Sequence, residues 1–291
     1  MHSQNSDAQT IEHEKEIVKQ LSNLPQASIT FDDSGWDSRV YLVNGGEFVV
    51  KFPRSSKIQG RFASQITALR LASKTKADVA IPKVIWTHPQ NEYFGYEGIA
   101  GIQLAIILGE LDDTTKQFIG QELGAFLKDF HKQRLAGARD MSVAEEIKQL
   151  HNWYQKGIEE GKQFFTPAEQ QKLHSAVYDV WPQLLTKLGN DLGLCHGDFH
   201  FKNIFYDEND QIGIIDFGDV CYADRSKDFI NLDDPAIFES ALASYGDTSD
   251  RFRQKIAIRK QMLQVIKLTA QLAKRELADA QVTAGLIKHS L

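Results

Sequence analysis

Leu194-Cys195-His196-Gly197-Asp198-Phe199-His200-Phe201-Lys202-Asn203, followed by Ile214-Ile215-Asp216-Phe217-Gly218-Asp219, is the stretch that decides how this chain reads. An Asp and an Asn stand at a fixed offset after a His, and a second Asp ends an apolar, strand-like run. Phosphoryl transfer from a nucleotide needs such a set: a carboxylate to take the hydroxyl proton, then an amide oxygen and another carboxylate to hold magnesium. Asp198 is the candidate base, and Asn203 and Asp216 are the candidate Mg²⁺ ligands. Magnesium favours oxygen donors and keeps several waters, so two protein oxygens and the nucleotide phosphates suit its shell. His196 is expected to shape the loop backbone, and Gly197 and Gly218 to relieve crowding beside it. Alone, the first element also reads as a surface turn, because Asp and Asn favour turns. The apolar run Ile212 to Ile215 leading into Asp216 makes the pair a chemical signal.

Upstream, Lys51 stands on the apolar run Phe48-Val49-Val50-Lys51-Phe52, where a strand lysine reaches nucleotide phosphates as in V-A-I-K. The usual helix partner of such a lysine is a Glu. The helix expected over Arg61 to Ser73 offers Gln65 there, so Lys51 is less firmly positioned or paired elsewhere. Ser34-Gly35-Trp36-Asp37-Ser38 lies between two expected strands, where a phosphate-covering loop belongs. It has one Gly, and its amides with the Ser34 or Ser38 hydroxyl suit phosphate. Downstream, Asp219, Asp224, Asp228, Asp233, Asp234 and Glu239 crowd together. They suit either a cationic acceptor, with Asp219, Asp233, Asp234 and Glu239 as candidate contacts, or helix caps and solvated loops. Cys195 and Cys221 read as packing residues.

The elements form two groups. Thr10 to Leu24 reads as a helix ended by Pro25. Ile29 to Phe31, Arg39 to Val43 and Glu47 to Phe52 read as strands, the last two joined at Gly45-Gly46. Ile81 to Trp86 and Tyr93 to Ile99 read as two more. Beyond Gly101 helices dominate. Thr114 to His131 carries the stripe Ile119, Leu123, Phe126, Leu127 and Phe130, with Thr114 and Gln117 as a capping box. Ser142 with Glu145, and Thr166-Pro167-Ala168-Glu169, open two further helices. Short strands over Ile204 to Tyr206 and Ile212 to Phe217 flank the turn Asp207 to Gln211, and helices resume near Pro235. The expected fold is α+β and bilobal: residues 1–100 form a small sheet-rich nucleotide-binding lobe. Residues 101–291 form a larger helical lobe with the catalytic and metal-binding loops and the acceptor site.

The 291 residues suit two lobes, and 42% apolar with 25% charged content is ordinary for a globular protein. A net charge of −6 argues against a nucleic-acid binder and suits a cationic substrate. Two cysteines allow no disulfide framework, Met1 to Lys15 is too polar for a secretory signal, and Ile99 to Leu108 is too short to span a bilayer. A cytoplasmic protein, acting as a monomer and away from membranes, is expected.

Taken together, these segments resemble the aminoglycoside phosphotransferase family of kinase-like small-molecule kinases. The Gly of His196-Gly197-Asp198, in place of the Arg of protein kinases, separates that family from them. The runs Ser34 to Val43, Phe48 to Pro53 and Gly95 to Gly101 are similar to its 2″-phosphotransferase branch. The resemblance implies a bilobal kinase-like fold, ATP or GTP as donor, Mg²⁺, and a hinge over Tyr96 to Ala100 with Tyr96, Gly98, Ile99 and Ala100 facing the purine. It implies a small cationic acceptor, an aminoglycoside first. A macrolide or a metabolite alcohol are alternatives within the class, and a nucleotide-binding pseudokinase with a regulatory partner is the alternative outside it. Gln65 departs from the family's Glu.

Overall fold

In the run Phe48 to Pro53 four successive residues are buried, as a central strand requires. The computed structural model describes residues 2–23 and 28–291. Leu24 and Pro25, the expected end of the first helix, lie outside the described residues. The chain runs through α1 (His2–Ser22), β1 (Ile29–Asp32), β2 (Ser38–Val43), β3 (Phe48–Pro53), α2 (Ser56–Ala72), β4 (Val79–Ala80), β5 (Val84–Thr87), β6 (Phe94–Glu97), β7 (Ile102–Gln103) and α3 (Leu104–Ile107). It continues through α4 (Asp113–Phe130), β8 (Arg139–Met141), α5 (Val143–Gly161), α6 (Pro167–Ser175), α7 (Trp181–Leu188), β9 (Leu192–Cys195), β10 (Ile204–Tyr206) and β11 (Ile212–Ile214). It closes with β12 (Cys221–Asp224), α8 (Pro235–Tyr245), α9 (Asp250–Ala273) and α10 (Leu277–Ser290).

Two compact units form. The first comprises Met1–Thr115, Gln133–Ala138 and His200–Val220; the second comprises Lys116–Lys132, Arg139–Phe199 and Cys221–Leu291.

The first unit holds an antiparallel sheet in the order β1-β2-β3-β6-β5. Asn44, Gly45 and Gly46, all at positive φ, turn β2 into β3. On one face Tyr41, Val43, Val50 and Phe52 pack with Val18 of α1. Glu14 of α1 pins that helix by accepting from the Arg39 guanidinium (2.6 Å) and the Tyr41 hydroxyl (2.8 Å). A second sheet, β4-β11-β10-β7, belongs to the same unit. The expected strand Ile81 to Trp86 is shorter: Pro82 supplies no N–H, β5 begins only at Val84 and joins the larger sheet, and β4, which precedes the expected strand, pairs parallel with β11.

The second unit is mostly helical. α5 and α9 pack along each other, with Gly157 against Thr269, and Leu150, Trp181, Val265 and Ile287 lie in its core. Ser142 caps α5, and Thr166 with Glu169 forms the expected capping box of α6. α4 is capped by Asp112, which accepts from the Thr115 amide at 2.7 Å, in place of the expected Thr114–Gln117 box. A small sheet, β8-β12-β9, crosses this unit, and behind it Lys255 donates to Asp224 at 2.8 Å while Arg259 grips Glu146 at 2.7 Å. These fully or nearly buried pairs fix β12 and the turn after it, which carries Asp228. Among the described residues, no helix is long and apolar enough to cross a membrane.

Candidate active site

β10 and β11 are antiparallel partners, with Ile204 opposite Ile214. The ladder extends one step further, where the Ile215 amide donates to Asn203 O at 3.0 Å. This pairing holds the Asn203 turn beside the end of β11, so two candidate magnesium ligands 13 positions apart become neighbours through backbone alone. Asp216 follows in the left-handed region, at φ 64° and ψ 66°. A non-glycine residue there is strained, and such strain is kept where surrounding structure holds it. One restraint is Lys51 on β3, whose ammonium donates to Asp216 Oδ1 at 2.9 Å. Lys51 is 8% exposed. Burial pushes its ammonium pKa down, but the Asp216 carboxylate, together with Tyr96, outweighs this and holds it above the ordinary lysine value.

The strand lysine thus finds a carboxylate, but on Asp216 and not on α2. Gln65 is buried, and its amide lies close to Gly218 in the turn Phe217–Asp219. The donor set offered to a metal is a carboxylate and a carboxamide, hard oxygen ligands of the kind magnesium takes. Asn203 turns its Nδ2 toward His200 Nε2 at 3.5 Å, and the other polar atom of its side chain is an amide oxygen. The residues fit the ion.

The remaining nucleotide candidates are also in the first unit. The Ser34 to Ser38 loop is tied down: the Ser34 amide donates to Asp32 Oδ1 at 2.8 Å, and Arg54 donates to Gly35 O at 2.9 Å and pairs with Asp33. Ser34 is exposed, whereas Ser38 is buried at the start of β2. Tyr96 is buried on β6. The chain then turns close to the β2–β3 connection, where the Gly98 amide donates to Glu47 O at 2.8 Å. A Cβ on Gly98 would run into Gly46 O, so only glycine fits. Ile99 lies against Gly213 of β11, and Ala100 is exposed.

Asp198 lies in the second unit, on the loop after β9. Its amide donates to His196 Nδ1 at 3.4 Å, and Gly197 takes φ 87°, which a Cβ would oppose. The loop is anchored by Asp228, whose carboxylate accepts from the His196 amide (2.7 Å), the Gly197 amide (2.9 Å) and His131 Nε2 (3.0 Å). Burial would raise the Asp228 pKa, but the bond and charge of His131, with His196 and the Gly197 amide, hold it below the usual carboxylate range. His131 Nδ1 and the Tyr245 hydroxyl share a second hydrogen bond at 3.0 Å. His131 and Tyr245 had no role legible in the sequence.

Cys195 Sγ lies near His131 and Asp228, which bond each other, and burial with the Asp228 charge pushes the thiol above its usual pKa. Three of the candidate acceptor acids are engaged locally. Asp234 caps α8 through the Ala236 and Ile237 amides and pairs with Lys116 at 3.2 Å. Asp233 pairs with Lys260 at 3.0 Å, and Glu239 with Arg253 at 2.5 Å. Asp219 ends the turn after Asp216, in the first unit.

Asp228→Ala is expected to lower stability by about 1–3 kcal/mol for each buried amide left unpaired. A carboxyl depressed in the folded state stabilises above its unfolded pKa of about 3.9 and loses that contribution as pH falls through the folded value. Thermal midpoints of Asp228→Asn should therefore fall less between pH 6 and pH 3 than those of the unaltered protein. Parallel curves would refute the anchoring role.

The fold is that of a kinase-like transferase. Residues 28–254 match the model of the phosphotransferase enzyme family, APH, and the chain belongs to that family. Its fold is that of solved kinase-like phosphotransferases. The GDP complex of wild-type aminoglycoside 2'-phosphotransferase-IIIa is 19% identical, with 96% of this chain and 98% of that one covered and a TM-score of 0.76. Choline kinase from Streptococcus pneumoniae is also 19% identical, over 96% and 100%, with a TM-score of 0.62. A macrolide 2'-phosphotransferase from Brachybacterium faecium is 17% identical, over 94% and 97%, with a TM-score of 0.59. A search of curated proteins finds no match.

Proposed function

We propose that this phosphotransferase moves the γ-phosphoryl group of ATP or GTP to a hydroxyl of a small cationic acceptor, of the aminoglycoside type. The observation that carries the reading is the Lys51–Asp216 pair at 2.9 Å, joined through the β10–β11 ladder to Asn203. In this reading Lys51 binds nucleotide phosphates, with the Ser34 and Ser38 loop over them and Tyr96, Gly98, Ile99 and Ala100 around the base. Asn203 and Asp216 would hold Mg²⁺, which when bound neutralises charge on the phosphates. Asp198 orients the acceptor hydroxyl and accepts its proton, in a transition state that asks little covalent work of the protein.

Residues 1–100 act as the nucleotide lobe, and 101–291 bring the catalytic and metal loops and the acceptor site, in a cytoplasmic monomer. The acceptor would meet the acids after Asp216. Asp219, Asp233, Asp234 and Glu239 are the proposed contacts, and the last three must share their charge with Lys260, Lys116 and Arg253. Solved relatives in complex with GDP and kanamycin, or with streptomycin and ATP, support an aminoglycoside acceptor, and choline kinase supports a small cation more broadly. The test is a panel of aminoglycosides, macrolides and choline, each with ATP and GTP. Phosphorylation confined to cationic acceptors is expected; turnover of macrolides alone would overturn the acceptor class.

A further inference from the structure

The second unit holds a cleft of about 340 Å³ that the reading above does not use. The end of α4 brings Lys128 and Lys132, the turn after β12 brings Arg225, and the start of α9 brings Arg251. Asp191 and Asp247 also line it, giving four cations against two carboxylates in a chain whose net charge is −6.

Both carboxylates are already engaged. Asp191 accepts from buried Lys255 at 2.9 Å and pairs with Arg251 at 3.4 Å. Asp247 accepts from the Ser249 amide (3.1 Å) and hydroxyl (2.6 Å). Lys132 pairs with Asp129 at 3.2 Å, and Lys128 makes no ion pair among the described residues. Lys128 Nζ lies over Gly246, where the backbone turns out of α8 at φ 87°. Arg225 is held by a bond from its Nε to Leu192 O at 3.3 Å and by a hydrogen bond with the Tyr245 hydroxyl on the floor. The floor is Tyr245 and Phe252, stacked at 5.6 Å and nearly buried.

We infer that this cleft binds a small phosphate-bearing anion through Lys128, Lys132 and Arg225. Converging cations repel one another unless an anion lies between them, and a fixed guanidinium fork with flanking ammonium groups matches tetrahedral oxyanions. The charged walls disfavour an apolar ligand, and the size admits a diphosphate as readily as orthophosphate. The inference does not depend on the phosphotransferase reading, because none of the residues proposed for nucleotide or catalysis lines the cleft.

Calorimetric titration of the full chain with inorganic pyrophosphate, at low salt and without divalent metal, tests it, with orthophosphate and sulfate in parallel arms. Binding should weaken at least about tenfold in the Lys128→Gln/Lys132→Gln double variant, the loss of two charge-assisted contacts. Both lysines are exposed, so the variant should keep the thermal midpoint of the unaltered protein. Lys51→Ala should retain the binding. Sulfate as tight as pyrophosphate would reduce the ligand class to any oxyanion and overturn the phosphate assignment. No binding to the unaltered chain, binding unchanged in the double variant, or binding abolished by Lys51→Ala would overturn the site. The Lys128→Glu variant gives a second reading, because reversing the charge should weaken pyrophosphate further than Lys128→Gln does.

Discussion

Asp198→Ala is expected to lower kcat by roughly 10²–10⁴-fold, the span of a positioned general base, and to leave nucleotide affinity close to that of the unaltered enzyme. The separation of effects follows from where the groups lie. Asp198 stands on a loop of the second unit held by Asp228, while Lys51, Asn203 and Asp216 belong to the first. Removing the Asp198 carboxylate leaves the bond from its own amide to His196 and the Asp228 anchor in place. Steady-state kinetics beside nucleotide titration separates the two quantities. An equal loss of nucleotide binding would show that Asp198 is part of the nucleotide site and not the base.

Asp216→Ala is expected to abolish the magnesium dependence of nucleotide binding. The substitution removes a proposed metal ligand and also the carboxylate that holds the Lys51 ammonium. The two consequences can be told apart. Asp216→Asn keeps the shape and a hydrogen-bond acceptor for Lys51, yet gives a metal only a neutral oxygen. Nucleotide dissociation constants with and without Mg²⁺ should therefore converge in both variants, and metal-free binding should suffer more in Asp216→Ala. If both variants keep the full magnesium effect, the end of β11 is not the metal site.

Much of this was legible in the residues because the informative groups are close in sequence. Asp198 and Asn203 share one loop, Asp216 closes a strand visible from its apolar run, and the Thr166–Glu169 cap appears where its residues place it. What the sequence hid depends on distant partners. Gln65 stands where a Glu was sought, and the partner of Lys51 turned out to be Asp216, 165 positions away. His131 and Tyr245 looked idle because their neighbours, Asp228 and each other, lie 97 and 114 positions off. The pairings of β4 with β11 and of β8 with β12 are parallel and non-local, which no periodicity announces. The acids after Asp219 are legible only in part. Composition gave their charge but not Lys116, Arg253 and Lys260, which share it, so the acceptor stayed less legible than the reaction.

The central claim is that Lys51, Asp198, Asn203 and Asp216 act together in phosphoryl transfer. Its most direct measurement is mass spectrometry of an aminoglycoside incubated with the enzyme, Mg²⁺ and ATP or GTP carrying an ¹⁸O-labelled γ-phosphoryl group. The expected result is an acceptor heavier by one labelled phosphoryl group, in amounts matching the nucleoside diphosphate formed, and formed roughly 10²–10⁴-fold more slowly with Asp198→Ala. Magnesium-dependent nucleotide binding with neither labelled acceptor nor diphosphate, across the whole acceptor panel, would contradict the account and leave a nucleotide-binding pseudokinase in its place.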